Sequence, residues 1–328
     1  PSILIFNGQP ELFRMFEETG IDVRRMAMPV SSVKTHINPR YRRRFSRQLA
    51  EFIEHEQIEV LYLLNNAAYL LNYFRKSGIF KACVEIGGTP DPKPIRLFEK
   101  GVRLHPKSLV KAWYRKYVRL NYESADLVVC ISEAARGSAL YTYGVKPKRV
   151  VVVRPGITGR LSGAKQGEIR RELGIKSGER VVLSVGRITR EKGIEDFGEV
   201  ARIINSRGKD YRFVFVGVER NENYGTAIRQ KYGEFVTFIG RRSDIANVYA
   251  DTDVLVHLSH REGSPLVVIE ALEFGVPCVA WGIPGTSEDV EDGITGRTVP
   301  FGDHVAAAHA IEQIFEQPGL LEKFGEGA

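Results

Sequence analysis

Two carboxylates and two cations have the types and spacing to do chemistry. Glu262 and Glu270 have seven residues between them and frame Gly263-Ser264-Pro265-Leu266-Val267. Arg187 and Lys192 lie five apart in Gly186-Arg187-Ile188-Thr189-Arg190-Glu191-Lys192-Gly193. Each set follows an apolar, strand-like run, Arg180 to Val185 in one case and Asp253 to Leu258 in the other. After Glu262 the pattern turns helical, because Leu266, Ile269 and Leu272 recur at helical spacing. Ser264 is the expected N-cap, Pro265 the first helical residue and Gly275 the stop.

A helix opening at the carboxyl end of a strand presents free N–H groups and partial positive charge. Here the amides of Leu266 and Val267 are on offer, and Pro265 has none to give. A bare phosphate cradle gains nothing from two flanking acids. A nucleotide sugar does, since its diphosphate takes the amides while its sugar and ribose hydroxyls need acceptors. Arg187 and Lys192 can reach one diphosphate, the first as a planar fork and the second as a point charge. A solvated helix face and a solvated basic turn are the alternative readings of these two sets. Arg190 is a third cation in the same turn.

The string Glu262-Gly263-Ser264-Pro265-Leu266-Val267-Val268-Ile269-Glu270-Ala271-Leu272 resembles the donor-site signature of retaining glycosyltransferases of family four. That family has the GT-B fold. Gly186 to Gly193 resembles its Gly-Arg…Lys-Gly element, and Ala125 to Glu133 its strand leading into a helix. The resemblance is strong from about Ala125 onward and thin before it. It implies that Glu262 meets the transferred sugar, Glu270 the ribose, and Gly263, Ser264, Leu266 and Val267 the phosphate. Glu262, Arg187 and Lys192 are then the catalytic set, with the two cations neutralising the leaving nucleoside diphosphate. The turn at Gly240 and Arg241 would meet the nucleobase, largely through backbone. Gly8, in the first strand-turn-helix, would close over the donor phosphate; a plain turn glycine is the alternative. In the family the loop after the Lys81–Ile86 run often carries a histidine. Gly87 to Pro92 has none, and Asp91, Glu85 and His105 are the substitutes. The family's further C-terminal crossover helix has no counterpart before Ala328.

Strand-like runs alternate with helical ones throughout, which predicts an α/β fold. The expected architecture is GT-B: two doubly wound, Rossmann-like domains facing across a cleft. Residues 1–157 form the acceptor-side domain and 158–328 the nucleotide-sugar donor domain, because Thr158 to Gly167 is small and polar. The chain has 328 residues, 43% hydrophobic and 27% charged, which fits a globular protein of two domains. The net charge of +7 hides an asymmetry, since residues 1–160 hold 27 basic and 14 acidic side chains and the remainder 20 and 26. The run Arg40 to Arg47 and the amphipathic stretch Lys107 to Glu123 add to it. Together they point to an anionic membrane surface as a partner. No nucleic-acid motif is present. Three cysteines without metal spacing, no membrane-length apolar run and no leader at Pro1 predict a cytoplasmic protein, peripheral to the inner membrane face at most.

The reading is a glycosyltransferase moving a hexose from a nucleotide diphosphate sugar to a glycan, lipid-linked or small-molecule acceptor, with retention. No cofactor or metal is required, because the basic pair does the work of a cation. The alternatives are a sugar-nucleotide epimerase of the same fold and a non-catalytic nucleotide-sugar binding module. A dehydrogenase is disfavoured, since no Gly-x-Gly-x-x-Gly follows a strand.

Overall fold

The structure is a computed structural model. It describes residues 163–219 and 221–328 without a break, together with 125–142, 144–146 and 150–157. Before these it describes the backbone of four strands and the helical positions 51, 55, 119, 122 and 123. The readings at Gly8, Arg40 to Arg47, Asp91, His105 and most of Lys107 to Glu123 lie outside the described residues. The chain divides into one unit of Pro1–Leu61 with Tyr69–Lys81 and a second of Tyr62–Ala68 with Ala82–Ala328.

In the first unit β1 (Ser2–Phe6) pairs in parallel with β2 (Asp22–Met26), in register from Ser2 opposite Asp22 to Phe6 opposite Met26. A second sheet has the order β3 (Val60–Leu64), β4 (Lys81–Ile86), β5 (Leu127–Cys130), β6 (Val150–Val152). Ser132 caps the Glu133–Gly137 helix: it is buried and accepts the Ala135 amide at 3.1 Å, a structural role.

The large sheet carries the motifs. Its strands are β7 (Arg180–Val185), β8 (Tyr211–Val216), β9 (Val236–Phe238), β10 (Val254–His257), β11 (Cys278–Trp281) and β12 (Gly296–Val299). All pair in parallel, in the order β12-β11-β10-β7-β8-β9. Strand order therefore reverses between β7 and β10. That is the switch point of a doubly wound sheet, outside whose carboxyl ends ligands bind.

Both faces of this sheet are covered, which is why its strands read as continuous apolar runs. Val182, Phe213, Phe215, Val254, Val256 and Trp281 point into one core, with the Ile194–Ser206 and His304–Glu316 helices. Val181, Leu183, Val214, Leu255, Cys278 and Ala280 point into the other, with the Ile245–Ala250 and Leu266–Glu273 helices. The period of two along each strand makes this division. Phe197 shows how closely the first core is packed, with its ring edge-on to Phe213 at 5.5 Å. Truncating such a buried ring costs about 3–5 kcal/mol.

The Glu168–Glu172, Glu222–Tyr232 and Leu320–Gly327 helices were not anticipated from the sequence. The last buries Phe324 in the same core as the His304–Glu316 helix.

Candidate functional site

Strand β7 ends at Val185, and the chain stays tied to its neighbour past that point. The Gly186 amide donates to the Val216 carbonyl at 2.9 Å, and the Ile188 amide to that of Val218 at 3.0 Å. Arg187 sits between these two anchors. Its backbone is held while its side chain is half-buried, and it makes no hydrogen bond or ion pair with a described residue. Arg190 behaves differently: it is 83% exposed, faces Glu195 at 3.7 Å and lies over the Tyr224 ring. That engagement separates the two arginines.

A single 3-10 turn, Arg190–Lys192, follows. It is fastened to the loop after β10, because the His260 amide donates to the Glu191 carbonyl at 2.8 Å and the Ser259 hydroxyl to the same oxygen at 3.1 Å. The Lys192 stem runs past Gly186, whose missing Cβ would lie 3.8 Å from that of Lys192. Its ammonium reaches Glu262 Oε1 at 2.6 Å. The adjacency of β7 and β10 thus joins two motifs 70 residues apart.

His257 Nε2 meets the same Glu262 oxygen at 3.1 Å. Both side chains are sequestered, at 5% and 11% exposure. Burial pushes the Glu262 carboxyl upward, but the hydrogen bond and charge of His257, then those of Lys192, outweigh it and hold the group down at about 2. Glu262 is therefore a carboxylate, an acceptor and not a proton donor, at any neutral pH.

The next helix starts one residue later than expected. It spans Leu266–Glu273 with Pro265, not Ser264, at the cap position and no side-chain cap bond. The reason is a stronger partner: the Ser264 hydroxyl donates to Asp289 Oδ2 at 2.9 Å. The first bonds into the helix run from the Val268 and Ile269 amides to the Pro265 carbonyl, at 2.9 and 3.4 Å. The amides of Leu266 and Val267 precede them and stay without an acceptor among the described residues. Gly263 is buried beneath the backbone of Gly285.

Glu270 is half-buried within that helix and accepts the Tyr249 hydroxyl on Oε2 at 2.9 Å. Tyr249 stacks on Phe274 and its ring is fully buried. Burial, then the Glu270 charge, pushes its phenol well above the usual range, so it stays a donor. The Gly240 carbonyl takes the Gly217 amide at 2.8 Å, which ties the β9 turn to the β8 turn. Arg241 beside it is exposed and makes no bond to a described residue.

Arg187, Lys192, Glu262, Gly263, Ser264, Leu266, Val267 and Glu270 all leave the carboxyl ends of β7 and β10, on either side of the switch point. Gly240 and Arg241 stand two strands away, at the end of β9. A surface depression of about 580 Å³, between the Ile194–Ser206 helix and Pro300 to Val305, holds none of these residues. It is broad and open, a shape any shallow groove gives, so the cluster at the strand ends is the candidate site.

Sequence reasoning missed His257, Tyr249 and Asp289. His257 left one signal, an ionisable residue closing a strand whose four residues are all buried. Tyr249 sits in a short amphipathic helix and left none.

A doubly wound parallel sheet with cations, free amides and acceptors gathered at its switch point defines an α/β protein of the nucleotide-binding type. Two family descriptions match the chain: Glycosyl transferases group 1 over residues 165–328, and Glycosyl transferase 4-like domain over 2–156. The chain belongs to the first of these families, and it is a GT-B protein of the family-four type.

Its relatives include the capsular polysaccharide biosynthesis glycosyltransferase CapM of Staphylococcus aureus, 27% identical over 71% of this chain and 64% of that protein. The alpha-D-kanosaminyltransferase of Streptomyces kanamyceticus is 31% identical over 50% and 44%. The chain thus spans about half to two thirds of the length of the curated relatives it matches. Among solved structures, a glycosyltransferase from Rickettsia africae superposes with a TM-score of 0.78 at 19% identity, over 99% of this chain and 83% of that one. Anabaena HepE in complex with UDP and glucose does so at 0.73 and 18%, over 99% and 85%. Among the described residues no helix is long and apolar enough to cross a membrane.

Proposed function

We propose that this chain transfers a hexose from a nucleotide diphosphate sugar to an acceptor, with retention. Residues 158–328 bind the donor and residues 1–157 face the acceptor. The observation that carries this reading is the Lys192–Glu262 contact at the β7/β10 switch point, beside the unused amides of Leu266 and Val267.

In this reading the diphosphate lies between Arg187 and Lys192 on one side and those two amides on the other. Four donors then meet the charge that grows on the leaving group as the glycosidic bond breaks. Glu262, already ionised, accepts hydroxyls of the sugar and sets its angle. Glu270 offers the ribose hydroxyls whatever acceptor capacity the Tyr249 bond leaves. The leaving phosphate itself takes the acceptor proton on the same face of the sugar, so no buried base and no metal are needed. HepE has been solved with UDP-glucose, which supports a uridine diphosphate sugar as the first donor to try. The basic first half supports contact with an anionic membrane from the cytoplasmic side.

The test is a panel of nucleotide sugars read by melting temperature, followed by mass spectrometry for slow donor hydrolysis. One donor should raise the melting temperature and be hydrolysed. Unchanged binding of that donor by Glu262→Ala and Lys192→Ala would overturn the site. Sedimentation with anionic vesicles at low and high salt tests the membrane contact, which salt-insensitive or absent pelleting removes.

A further inference from the structure

The Leu266–Glu273 helix opens without a side-chain cap, although Ser264 stands two residues before its first turn. A capping side-chain oxygen accepts the amide two or three positions ahead of it. Among the described helices, the three with such a bond all use the third position. Ser132 accepts the Ala135 amide at 3.1 Å, Asn221 that of Tyr224 at 3.0 Å, and Asp303 that of Ala306 at 2.9 Å. Counted from Ser264, the two positions are Leu266 and Val267. These are the amides that have no acceptor among the described residues. In the transferase reading, on which this inference rests, they are the ones the donor diphosphate takes. Ser264 is therefore a competitor of the substrate, carried on the same loop.

Asp289 holds that competitor away. It follows the Thr286–Glu288 turn, and its Oδ2 accepts the Ser264 hydroxyl at 2.9 Å. A hydroxyl can donate and accept at once, so the bond to Asp289 does not by itself use up the serine oxygen. What the bond fixes is direction: the oxygen is drawn toward the loop after β11, and the helix is left without a cap bond. The turn that carries Asp289 is itself tied down. Glu288 accepts the Glu133 and Ala134 amides, and Gly285 packs on the Glu262 and Gly263 carbonyls.

We propose that Asp289 is a positioning residue that holds the Ser264 hydroxyl off the helix mouth and so keeps the Leu266 and Val267 amides open for the donor diphosphate. Without Asp289, Ser264 turns back and caps the helix, and only molecules with the cap open bind the donor. A cap of ordinary strength leaves about one molecule in six open, which weakens apparent affinity about sixfold.

The test compares Asp289→Ala, Ser264→Ala and the double variant by calorimetry with the donor that binds the wild type. Asp289→Ala should bind about sixfold more weakly than wild type. The double variant should bind as Ser264→Ala does, because removing the serine removes the competitor. A double variant as weak as Asp289→Ala, or an Asp289→Ala affinity equal to wild type, overturns the proposal. A carboxylate that merely supports the loop is not rescued by a second truncation.

A second readout needs no donor, so it survives a failure of the transferase reading. In the unliganded protein, hydrogen exchange at the Leu266 or Val267 amide, followed by NMR, should slow about sixfold in Asp289→Ala. It should return to the Ser264→Ala rate in the double variant. Unchanged exchange at both amides in Asp289→Ala overturns the proposal. Where Asp289→Ala fails to fold, Asp289→Leu, which fills the space without an acceptor, replaces it under the same criteria.

Discussion

Gly193 approaches the Leu258 carbonyl so closely that a Cβ on it would stand 1.9 Å from that oxygen. Its φ of +67° also lies where L side chains are disfavoured. This contact seats the 3-10 turn against the loop after β10 and so sets the reach of Lys192. Gly193→Ala must either break the backbone contact or move the turn. It is expected to cost more than about 2 kcal/mol by chemical denaturation. Donor binding should fall in whatever fraction remains folded, and an alanine variant as stable as the parent would show that the two loops do not depend on each other.

Arg187 and Lys192 should separate by stability. Arg187 has no described partner, so Arg187→Ala should change folding by no more than about 0.5 kcal/mol while weakening donor binding at least about tenfold. Lys192→Ala uncouples a partly buried carboxylate, so it should also destabilise the unliganded protein, by about 1–3 kcal/mol. Paired denaturation and calorimetry measure both quantities. Equal stability losses for the two variants would contradict the geometry.

The Glu262 contribution to stability has a definite pH sign. Its folded value, about 2, lies below its ordinary 4.5. A depressed carboxylate stabilises the fold fully above its unfolded pKa, and that gain drains away as pH falls toward the folded value. The melting-temperature gap between wild type and Glu262→Gln should therefore hold steady from about pH 8 to about pH 6, then shrink below about pH 4. A gap that widens on acidification would mean that His257 and Lys192 do not hold the carboxylate down.

Tyr249→Phe removes the hydroxyl that engages Glu270 Oε2. Because that acceptor sits in a half-buried place, the loss should cost about 1–2 kcal/mol. It also frees Glu270 to rotate, so donor affinity should drop while kcat changes little. Glu270→Gln keeps an acceptor for Tyr249 and should spare stability while weakening binding. Donor affinity untouched by either change would remove Glu270 from the ribose.

Glu288 ties the loop beside the site to the Glu133–Gly137 helix. Its Oε2 accepts the Glu133 amide at 2.8 Å and its Oε1 the Ala134 amide at 2.7 Å, while Arg154 donates to its carbonyl at 3.0 Å. The same loop carries Gly285, which packs on the Glu262 and Gly263 carbonyls. Glu288→Ala should cost about 1–2 kcal/mol, read by denaturation, with Glu288→Gln recovering part of it. An unaffected midpoint for Glu288→Ala would show the capping bonds to be dispensable.

The strands were legible where a run is buried on both faces. Arg180–Val185 and Tyr211–Val216, which send side chains into both cores, emerge with the ends their apolar runs imply. The Ile194–Ser206 helix follows its apolar stripe, burying Ile194, Phe197, Val200, Ala201 and Ile204 on one face. Short helices such as Glu168–Glu172 were not legible, since five residues hold too little of a 3.6 period. Ser264 illustrates a local rule overruled. Its side chain fits an N-cap, but Asp289, distant in sequence, offers a charged acceptor, and a charge-assisted bond is the stronger of the two.

What the sequence by itself determined is the inventory: an α/β alternation, Arg187 and Lys192 in one loop, Glu262 and Glu270 flanking one helix start. Residue type and local periodicity depend on neighbours within a few positions, and these features live there. Which loop faces which was decided only by the tertiary structure, because strand order places β10 beside β7 and no local pattern encodes that adjacency. The ionised state of Glu262 belongs to the same level. It results from burial opposed by His257 and Lys192, which come together with Glu262 only once the sheet has formed.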